Sequence, residues 1–455
     1  MPTLRLPTPD GQVNTIYSDS VLYTDRSRIQ TREECPQRRY LQYHAQREDQ
    51  LPDSTLGIQR VGRSVPLVTG QAVHTGLAYL AIWHMETNGT QGQPLGQFPS
   101  DIIQSAIQAG LSDYHQMVED RGFGRGYSQS DGTVNWIIQE QTALTQALIY
   151  VGARRVLEPL FNSGHWILSA EQERKTLLHP GQENREDLDP VSFPLVFLSR
   201  ADLEVYDPDE NLLYVINFKT AKEYTDWQAG QLQIGLQTIG EAVALDAWHK
   251  SGLDLSLQQV PPNAGIAGVQ YIYFIKGRQQ YDRNRGHDVT YNHLIRAWTN
   301  VDPLTGNQNY SWLYFYPNSK RQVLSKGSGF WTFESFPGGT LGWIDFLLQG
   351  KALPTKDPDN METMPDPLEE LVRLPGMSFL HPQRKERWQQ QTIRDEILWH
   401  QNLQNPDYRP SMHMHQCGRG KWKCEMFPIC HENLTIDNEL YMPREANHPE
   451  AEPET

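Results

Sequence analysis

The stretch that decides the fold is RADLEVYDPDENLLYVINFK, residues 200–219. Two runs rich in β-branched and aromatic residues flank the turn sequence DPDEN at 207–211, which predicts a β-hairpin. Because side chains alternate along a strand, positions 217 and 219 share one face, and strand pairing can place Asp202 beside them. Two oxygen ligands and the Lys219 ammonium then converge, as metal-assisted phosphodiester hydrolysis requires. The alternative is a surface hairpin with solvated Asp202 and Lys219.

The flanking sequence continues the same organisation. The runs HWILSAEQERKTLL (165–178), FPLVFLSRADLEVYD (193–207) and NLLYVINFKT (211–220) are rich in β-branched or aromatic residues, and turns separate them, so together they predict a β-meander. Helical spacing returns from Gln228 to His249, and GIAGVQYIYFIKG (265–277) predicts another strand of the same sheet. A glutamate on the strand before Asp202, Glu171 or Glu173, could assist the site. The fold class predicted is therefore α/β.

The rest of the chain divides by pattern. We expect a flexible lead at 1–20, a helical region at 21–160, a core at 161–276, an irregular insertion with outer strands at 277–380, a C-terminal helix and cysteine segment at 381–440, and a disordered acidic tail at 441–455. Within these regions, apolar spacing predicts helices at Ser27–His44, Gly70–Met85, Trp136–Leu157 and Pro382–Gln401.

Composition limits the class of protein. The 455 residues carry a net charge of −15, which argues against a protein that coats nucleic acid with a wholly basic surface. An enzyme with a local basic groove remains allowed. No apolar run is long enough to span a membrane, and the start lacks an apolar signal core. We expect an intracellular, cytoplasmic protein with no membrane partner.

The hairpin motif belongs to a longer ordered series. RADLEVYD is followed by VINFKTAKEYTDW and QLQIGLQTIGEA, and GQAVH (70–74) precedes all three. This order resembles the RecB-like, often phage-encoded branch of the PD-(D/E)XK nuclease superfamily. That family has a Gly-x-x-x-His helix, Asp, Asp-x-Lys and a Gln-x-x-x-Tyr helix. Gln233 fits the glutamine, with Gln237 where tyrosine is usual, and Gln231 is a rival alignment.

The resemblance implies a restriction-endonuclease-like core, in which helices flank a mixed central sheet, and a metal-dependent DNA nuclease that acts as an exonuclease on DNA ends or single strands. It implies that His74, Asp202, position 217 and the Phe218 carbonyl hold Mg²⁺ or Mn²⁺. Lys219 would then act at the nucleophile and Gln233 would orient the site. A lone helical histidine such as His74 is also compatible with a packed or exposed side chain.

Position 217 departs from this pattern, because asparagine stands where the family has Asp or Glu. A neutral amide should weaken the binding of a doubly charged cation. Three interpretations stay open: a naturally tolerant site, a catalytically inactive DNA-binding or scaffold protein of the same fold, and an Asp-to-Asn change made to trap substrate.

The chain has four cysteines: Cys35, Cys417, Cys424 and Cys430. Cys35 begins CPQRRY, and the other three lie within CGRGKWKCEMFPIC. One early cysteine followed by three late ones resembles iron–sulfur members of the superfamily, including helicase–nucleases of AddB type and CRISPR-adaptation nucleases. The resemblance implies a [4Fe–4S] cluster. Four thiolates also suit zinc, and unrelated buried cysteines are a further alternative.

A basic run interleaved with tyrosine offers candidate DNA contacts at Lys276, Arg278 and Arg283. Solvated loops are the alternative. No sequence-reading motif accompanies the run, so we expect contacts to the DNA backbone and, as a further partner, a recombination or replication protein.

Overall fold

A computed structural model describes residues 3–17, 21–46, 57–60, 65–89, 93–120, 136–181, 193–221, 224–225, 230, 236–276, 278–282, 287–291, 313–315, 322–324, 372–413, 417–419, 422–432, 434–438 and 440–443. Within these ranges the protein is mixed α/β, as predicted. None of the helices described is long and apolar enough to cross a bilayer.

The helices alternate with short strands along the chain. The helices are α1 (Arg26–Glu34), α2 (Pro36–Tyr43), α3 (Val65–Asn88), α4 (Ser100–Asp120), α5 (Trp136–Gly152, continued by a π-helical turn at Ala153–Leu157), α6 (Glu158–Asn162), α7 (Leu236–Ser251), α8 (Pro382–Gln404) and α9 (Phe427–His431). The strands are β1 (Thr3–Pro7), β2 (Val13–Tyr17), β3 (Leu22–Asp25), β4 (Ile58–Arg60), β5 (Trp166–Ala170), β6 (Glu173–His179), β7 (Leu195–Arg200), β8 (Leu203–Asp207), β9 (Leu212–Ala221), β10 (Gly265–Ile275), β11 (Arg278–Asp282), β12 (His287–Tyr291), β13 (Leu313–Phe315), β14 (Gln322–Leu324), β15 (Val372–Arg373), β16 (Ser378–Phe379), β17 (Gly418–Arg419), β18 (Trp422–Lys423) and β19 (Tyr441–Pro443).

The central sheet has the strand order β15-β10-β9-β8-β5, and β16 also pairs with β10. The predicted hairpin is confirmed as β8 and β9, which pair antiparallel with Leu203 opposite Ile216. In its turn, the Asp207 carboxylate accepts hydrogen bonds from the backbone N–H groups of Asp209 and Glu210. Asn211 takes a positive φ of 54°, a conformation that asparagine tolerates.

The predicted helix between strands is confirmed from Leu236 onward, because β9, α7 and β10 form a crossover unit with parallel strands. The two faces of the sheet are covered by different helices. Helices α3, α4 and α5 bury one face, which includes Ile216 and Phe218, while α7 buries the face that carries Val215 and Tyr271. Alternation along β9 therefore points residues 217 and 219 toward α7.

The predicted β-meander is wrong. Strand β5 pairs with β8 in the central sheet, whereas β6 and β7 pair with each other and join β3 in a second sheet, ordered β3-β7-β6. Strand β3 lies parallel to β7, with Leu22 opposite Leu195. Local residue preferences specify that a segment is a strand, but not a partner from a distant part of the chain.

The flexible lead predicted for 1–20 is also corrected, as is the start of the disordered tail predicted for 441–455, because Tyr441–Pro443 form β19 and pair with β4. Strands β1 and β2 form a hairpin, and Leu6 and Ile16 bury their side chains against Leu177, Val196 and Leu198 of the second sheet. Alternating apolar positions in so short a segment are enough to cover a sheet face.

The predicted helices are confirmed at 27–44, 70–85, 136–157 and 382–401. The first is broken in two at Cys35, whose φ is −163°, because Pro36 disfavours helical backbone in the residue before it and then starts α2.

Candidate functional site

Three ligating side chains converge at the edge of the central sheet. The ligand atoms of His74, Glu171 and Asp202 lie within 4.8 Å of one another. The Nδ1 of His74 is 2.9 Å from the Asp202 carboxylate. An imidazole with two carboxylates offers a divalent cation the donors that Mn²⁺ accepts, and the carboxylates suit Mg²⁺.

Each ligand comes from a different element, and strand pairing aligns them. Ala170, the last residue of β5, pairs with Leu203, so Glu171 lies beside Asp202. The Glu171 N–H donates to the Asp202 carbonyl at 3.1 Å. Helix α3 carries His74, whose ring lies nearly perpendicular to the Phe218 ring, with the two ring centroids 6.0 Å apart.

Glu171 is held in an unfavourable backbone conformation. Its φ is +52°, in the left-handed region that L-residues other than glycine and asparagine rarely adopt. Arg200 pairs with its carboxylate at 3.2 Å. Non-glycine residues held in this region concentrate at functional sites, where surrounding contacts offset the strain.

The two carboxyl groups titrate far apart. Burial would raise the pKa of Asp202, but the adjacent His74 and Lys219 outweigh it and lower that pKa to about 2. Burial and the neighbouring Asp202 charge raise the pKa of Glu171 to about 7. A bound cation would offset the repulsion between them.

Lys219 lies next to this cluster, with its Nζ 5.8 Å from the centroid of the Tyr271 ring. Burial, followed by the positive charge of Arg26, lowers the pKa of Lys219, while Asp202, Glu241 and Glu171 oppose that shift. Lys219 and Arg26 are therefore neighbouring cations, and among the residues described the structure gives neither an ion pair within 4.0 Å.

Asn217 is buried and contacts both neighbouring elements. Its Nδ2 donates to the Glu241 carboxylate of α7, and its Oδ1 is 3.5 Å from the Asp202 backbone N–H. The Phe218 N–H donates to the Asp202 carboxylate, and the role of the Phe218 carbonyl as a metal ligand stays a prediction. The structure thus brings His74, Asp202, Asn217, Phe218 and Lys219 together.

The remaining predicted site residues either lie outside the described residues or occupy another part of the fold. Gln233, Gln231, the side chain of Gln237, Arg283 and the side chain of Arg278 lie outside the described residues. Lys276 is only 8% exposed, and burial lowers its pKa to about 8, so its prediction as part of an exposed basic run is corrected. It follows β10 directly, and its N–H donates to the Ala221 carbonyl at 2.8 Å.

The four cysteines lie where the start and end of the chain meet. The Cys424 N–H donates to the Cys417 carbonyl at 3.1 Å, across the β17–β18 hairpin. Burial and the charges of Cys424, Cys35 and Cys417 raise the pKa of Cys430 to about 11, so the thiols are near enough to influence one another. Within the described part of the chain, no three cysteine sulfurs lie within 4.8 Å of one another.

Sequence reasoning missed Arg26 and Glu241, and it left Glu171 and Glu173 as equal candidates. Glu173 turns out to lie on β6, 3.8 Å from Lys175. Arg26 and Glu241 lack a short motif, because each reaches the site through tertiary packing. The charge pattern of α7, in which Glu241 falls within an otherwise apolar run, was the one signal available.

No protein-family model matches the sequence, and no curated protein matches it.

Proposed function

We propose that this protein is a divalent-metal-dependent deoxyribonuclease with a restriction-endonuclease-like core. The convergence of His74, Glu171 and Asp202 within 4.8 Å, with Lys219 beside them, is the observation that carries the proposal. The crossover from β9 through α7 to β10 supports it, because this crossover attaches Asn217 and Lys219 rigidly to the sheet.

The residues divide the work between binding and charge stabilisation. His74, Glu171 and Asp202 would hold Mg²⁺ or Mn²⁺, which when bound would supply Lewis acidity to a phosphodiester and lower the pKa of water. Asp202 is orientated for this role by His74 and by the Phe218 N–H. Lys219 supplies a partly buried ammonium to stabilise the negative charge that develops on the phosphate.

The neighbouring cations Lys219 and Arg26 support DNA as the substrate. In a protein with a net charge of −15, these two adjacent cations have no ion pair within 4.0 Å among the described residues, although Asp202, Glu241 and Glu171 act on Lys219 from farther away. A phosphate group meets both charges, and contact with the backbone alone suits DNA ends or single strands.

The test is cleavage of end-labelled linear and single-stranded DNA by anaerobically purified protein, with Mg²⁺, Mn²⁺ or EDTA. We expect metal-dependent cleavage that Asp202→Ala and Lys219→Ala each reduce at least about a hundredfold, the size of effect known for single electrostatic groups in active sites. Asp209→Ala, in the exposed turn of the same hairpin, is the control. DNA binding without cleavage by the unaltered chain would favour an inactive scaffold protein instead.

We further propose that Cys35, Cys417, Cys424 and Cys430 hold a [4Fe–4S] cluster. Four thiolates on one zinc ion, with Zn–S bonds of about 2.3 Å, would stand about 3.8 Å apart. In a cluster each thiolate binds a different iron atom, so the cysteine sulfurs stand farther apart than around one zinc ion. This spacing agrees better with four thiols that influence one another although no three described cysteine sulfurs lie within 4.8 Å. Iron content and visible absorbance of the anaerobic protein test this assignment.

A further inference from the structure

Asn217 and Glu241 form a buried amide–carboxylate contact beside the three proposed metal ligands. Asn217, on β9, is 1% exposed, and Glu241, on α7, is 7% exposed. The Asn217 Nδ2 donates to a Glu241 oxygen, while the Asn217 Oδ1 faces the Asp202 N–H at 3.5 Å. The Asn217 amide therefore uses its donor and its acceptor together, and it links α7 to Asp202, the residue just before β8.

A carboxylate at position 217 could not make both contacts. It would keep an acceptor for the Asp202 N–H but would have no hydrogen to donate to Glu241. Two buried ionised carboxylates would then face each other, which is strongly unfavourable and favours the uptake of a proton by one of them. Because Asn and Asp have nearly the same shape, the polarity of the hydrogen bond is the main difference between them.

The charge of Glu241 also acts on the proposed catalytic groups. Glu241 opposes the lowering of the Lys219 pKa, and it raises that of Tyr271, over whose ring Lys219 lies. One turn earlier on α7, Thr238 hydrogen-bonds the Tyr271 hydroxyl at 2.8 Å, which fixes the helix against β10. Helix α7, which carries Glu241, is therefore hydrogen-bonded to both β9 and β10.

We propose that Asn217 and Glu241 are a matched pair, in which α7 supplies the negative charge that the nuclease pattern expects on the strand, and Asn217 is a positioning residue that orients Asp202. The contacts at position 217 then suit an asparagine amide better than a carboxylate. The consequence for metal binding rests on the proposed function, but the pairing itself does not.

The test is a cycle of four full-length proteins: the unaltered chain, Asn217→Asp, Glu241→Gln, and the double variant, which reverses the hydrogen bond so that glutamine donates to aspartate. The readouts are the melting temperature in EDTA and the affinity for Mn²⁺ alone, measured by titration calorimetry. We expect each single variant to melt several degrees lower and to bind Mn²⁺ at least about tenfold more weakly, as altered supporting contacts of metal ligands do. The double variant should recover most of both losses.

Asn263→Asp and Glu210→Gln, both at exposed turn positions, control for the general effect of these exchanges. The proposal is overturned if Asn217→Asp alone raises the melting temperature or the Mn²⁺ affinity, because the pocket would then have been built for a carboxylate. It is also overturned if the losses in the double variant equal the sum of the losses in the two single variants. The same holds if Asn217→Asp fails to fold and the double variant fails to fold as well. Coupled melting temperatures in a chain that never cuts DNA would retain the matched pair and refute the nuclease.

Discussion

Asp202 connects more of the candidate site than any other single residue we describe. Its carboxylate contacts His74 and accepts the Phe218 N–H, while its backbone carbonyl accepts the Glu171 N–H. Both carboxylate oxygens are therefore orientated by the protein before a cation binds. Such fixed ligands lower the cost of organising the site when the metal arrives.

At Glu171, stability and metal binding should change in opposite directions. The Glu171 side chain lies beside the Asp202 carboxylate, and its backbone φ is +52°. Glu171→Gln removes a charge that the metal needs but that repels Asp202 in the metal-free protein. We expect the Mn²⁺ affinity to fall at least about tenfold, since exchanging even a supporting residue costs that much. The melting temperature in EDTA should not fall. Parallel loss of affinity and melting temperature would mean that Glu171 only supports the fold. Glu173→Gln, on β6, is the matched control.

Arg26 should contribute to DNA binding and not to metal binding. It is half-buried near Lys219, and its positive charge adds to the effect of burial in lowering the pKa of Lys219. We expect Arg26→Ala to weaken DNA binding and to reduce the slope of log K against log salt by about 0.7–0.9, the value for one lost phosphate contact. Filter binding across a salt series measures it, with exposed Arg155→Ala as the control. An unchanged slope would show that Arg26 does not contact a DNA phosphate.

At the scale of elements, the sequence predicted where strands and helices lie better than it predicted which strands pair. The β8–β9 hairpin was predictable because turn residues and alternation lie within 20 residues of sequence, and the crossover through α7 followed from a change of period. The second sheet was not, because β3 reaches β7 across about 170 residues and nothing local encodes that pairing. The metal ligands divide the same way: the hairpin motif gave Asp202, whereas choosing Glu171 over Glu173 required the register between β5 and β8.

Helices α2 and α8 are joined by a buried ion pair that should control acid stability. Arg39 and Glu396, both 0% exposed, form a two-point contact at 2.8 and 2.7 Å, and Arg32 adds a bond at 2.6 Å. Burial would raise the pKa of Glu396, but Arg39 and Arg32 outweigh it and lower the pKa to about 2. The stabilising effect of a lowered carboxyl pKa is complete above the unfolded value of about 4.5 and is lost as pH falls toward about 2.

Glu396→Gln should therefore lower the free energy of unfolding by about 3–5 kcal/mol at pH 7, because it leaves buried guanidinium groups without a carboxylate. Between pH 4.5 and pH 2 its stability should vary less steeply than that of the unaltered chain. Urea unfolding over a pH series measures both effects, and Glu386→Gln, on the exposed side of α8, is the control. Equal pH slopes in the two proteins would show that other carboxyl groups govern acid unfolding.

At the scale of the whole molecule, the beginning and the end of the chain pack against each other. Strand β4 pairs with β19, Met426 packs with Leu41, and the Glu34 carbonyl is 2.8 Å from the His413 ring. These contacts bring Cys35 to the segment with the other cysteines. The α2–α8 ion pair closes the same long loop, at a separation of 357 residues. A further crosslink here would restrict the unfolded chain over almost its whole length.

We therefore expect the stability of the cysteine segment to depend on the proposed cluster far more than on its ion pairs. Arg38 bonds Glu425 at 3.1 Å, but both side chains are about one-third exposed, so Arg38→Ala should cost at most about 1 kcal/mol. Cys35→Ser should abolish iron binding and visible absorbance and should make residues 417–443 sensitive to limited proteolysis, because loss of a structural metal group unfolds the segment that it closes. Metal analysis, absorbance and mass spectrometry of the fragments measure these outcomes. Stoichiometric zinc in a colourless protein would refute the cluster, and equal protease resistance of Cys35→Ser and Arg38→Ala would refute its role in joining the chain's two ends.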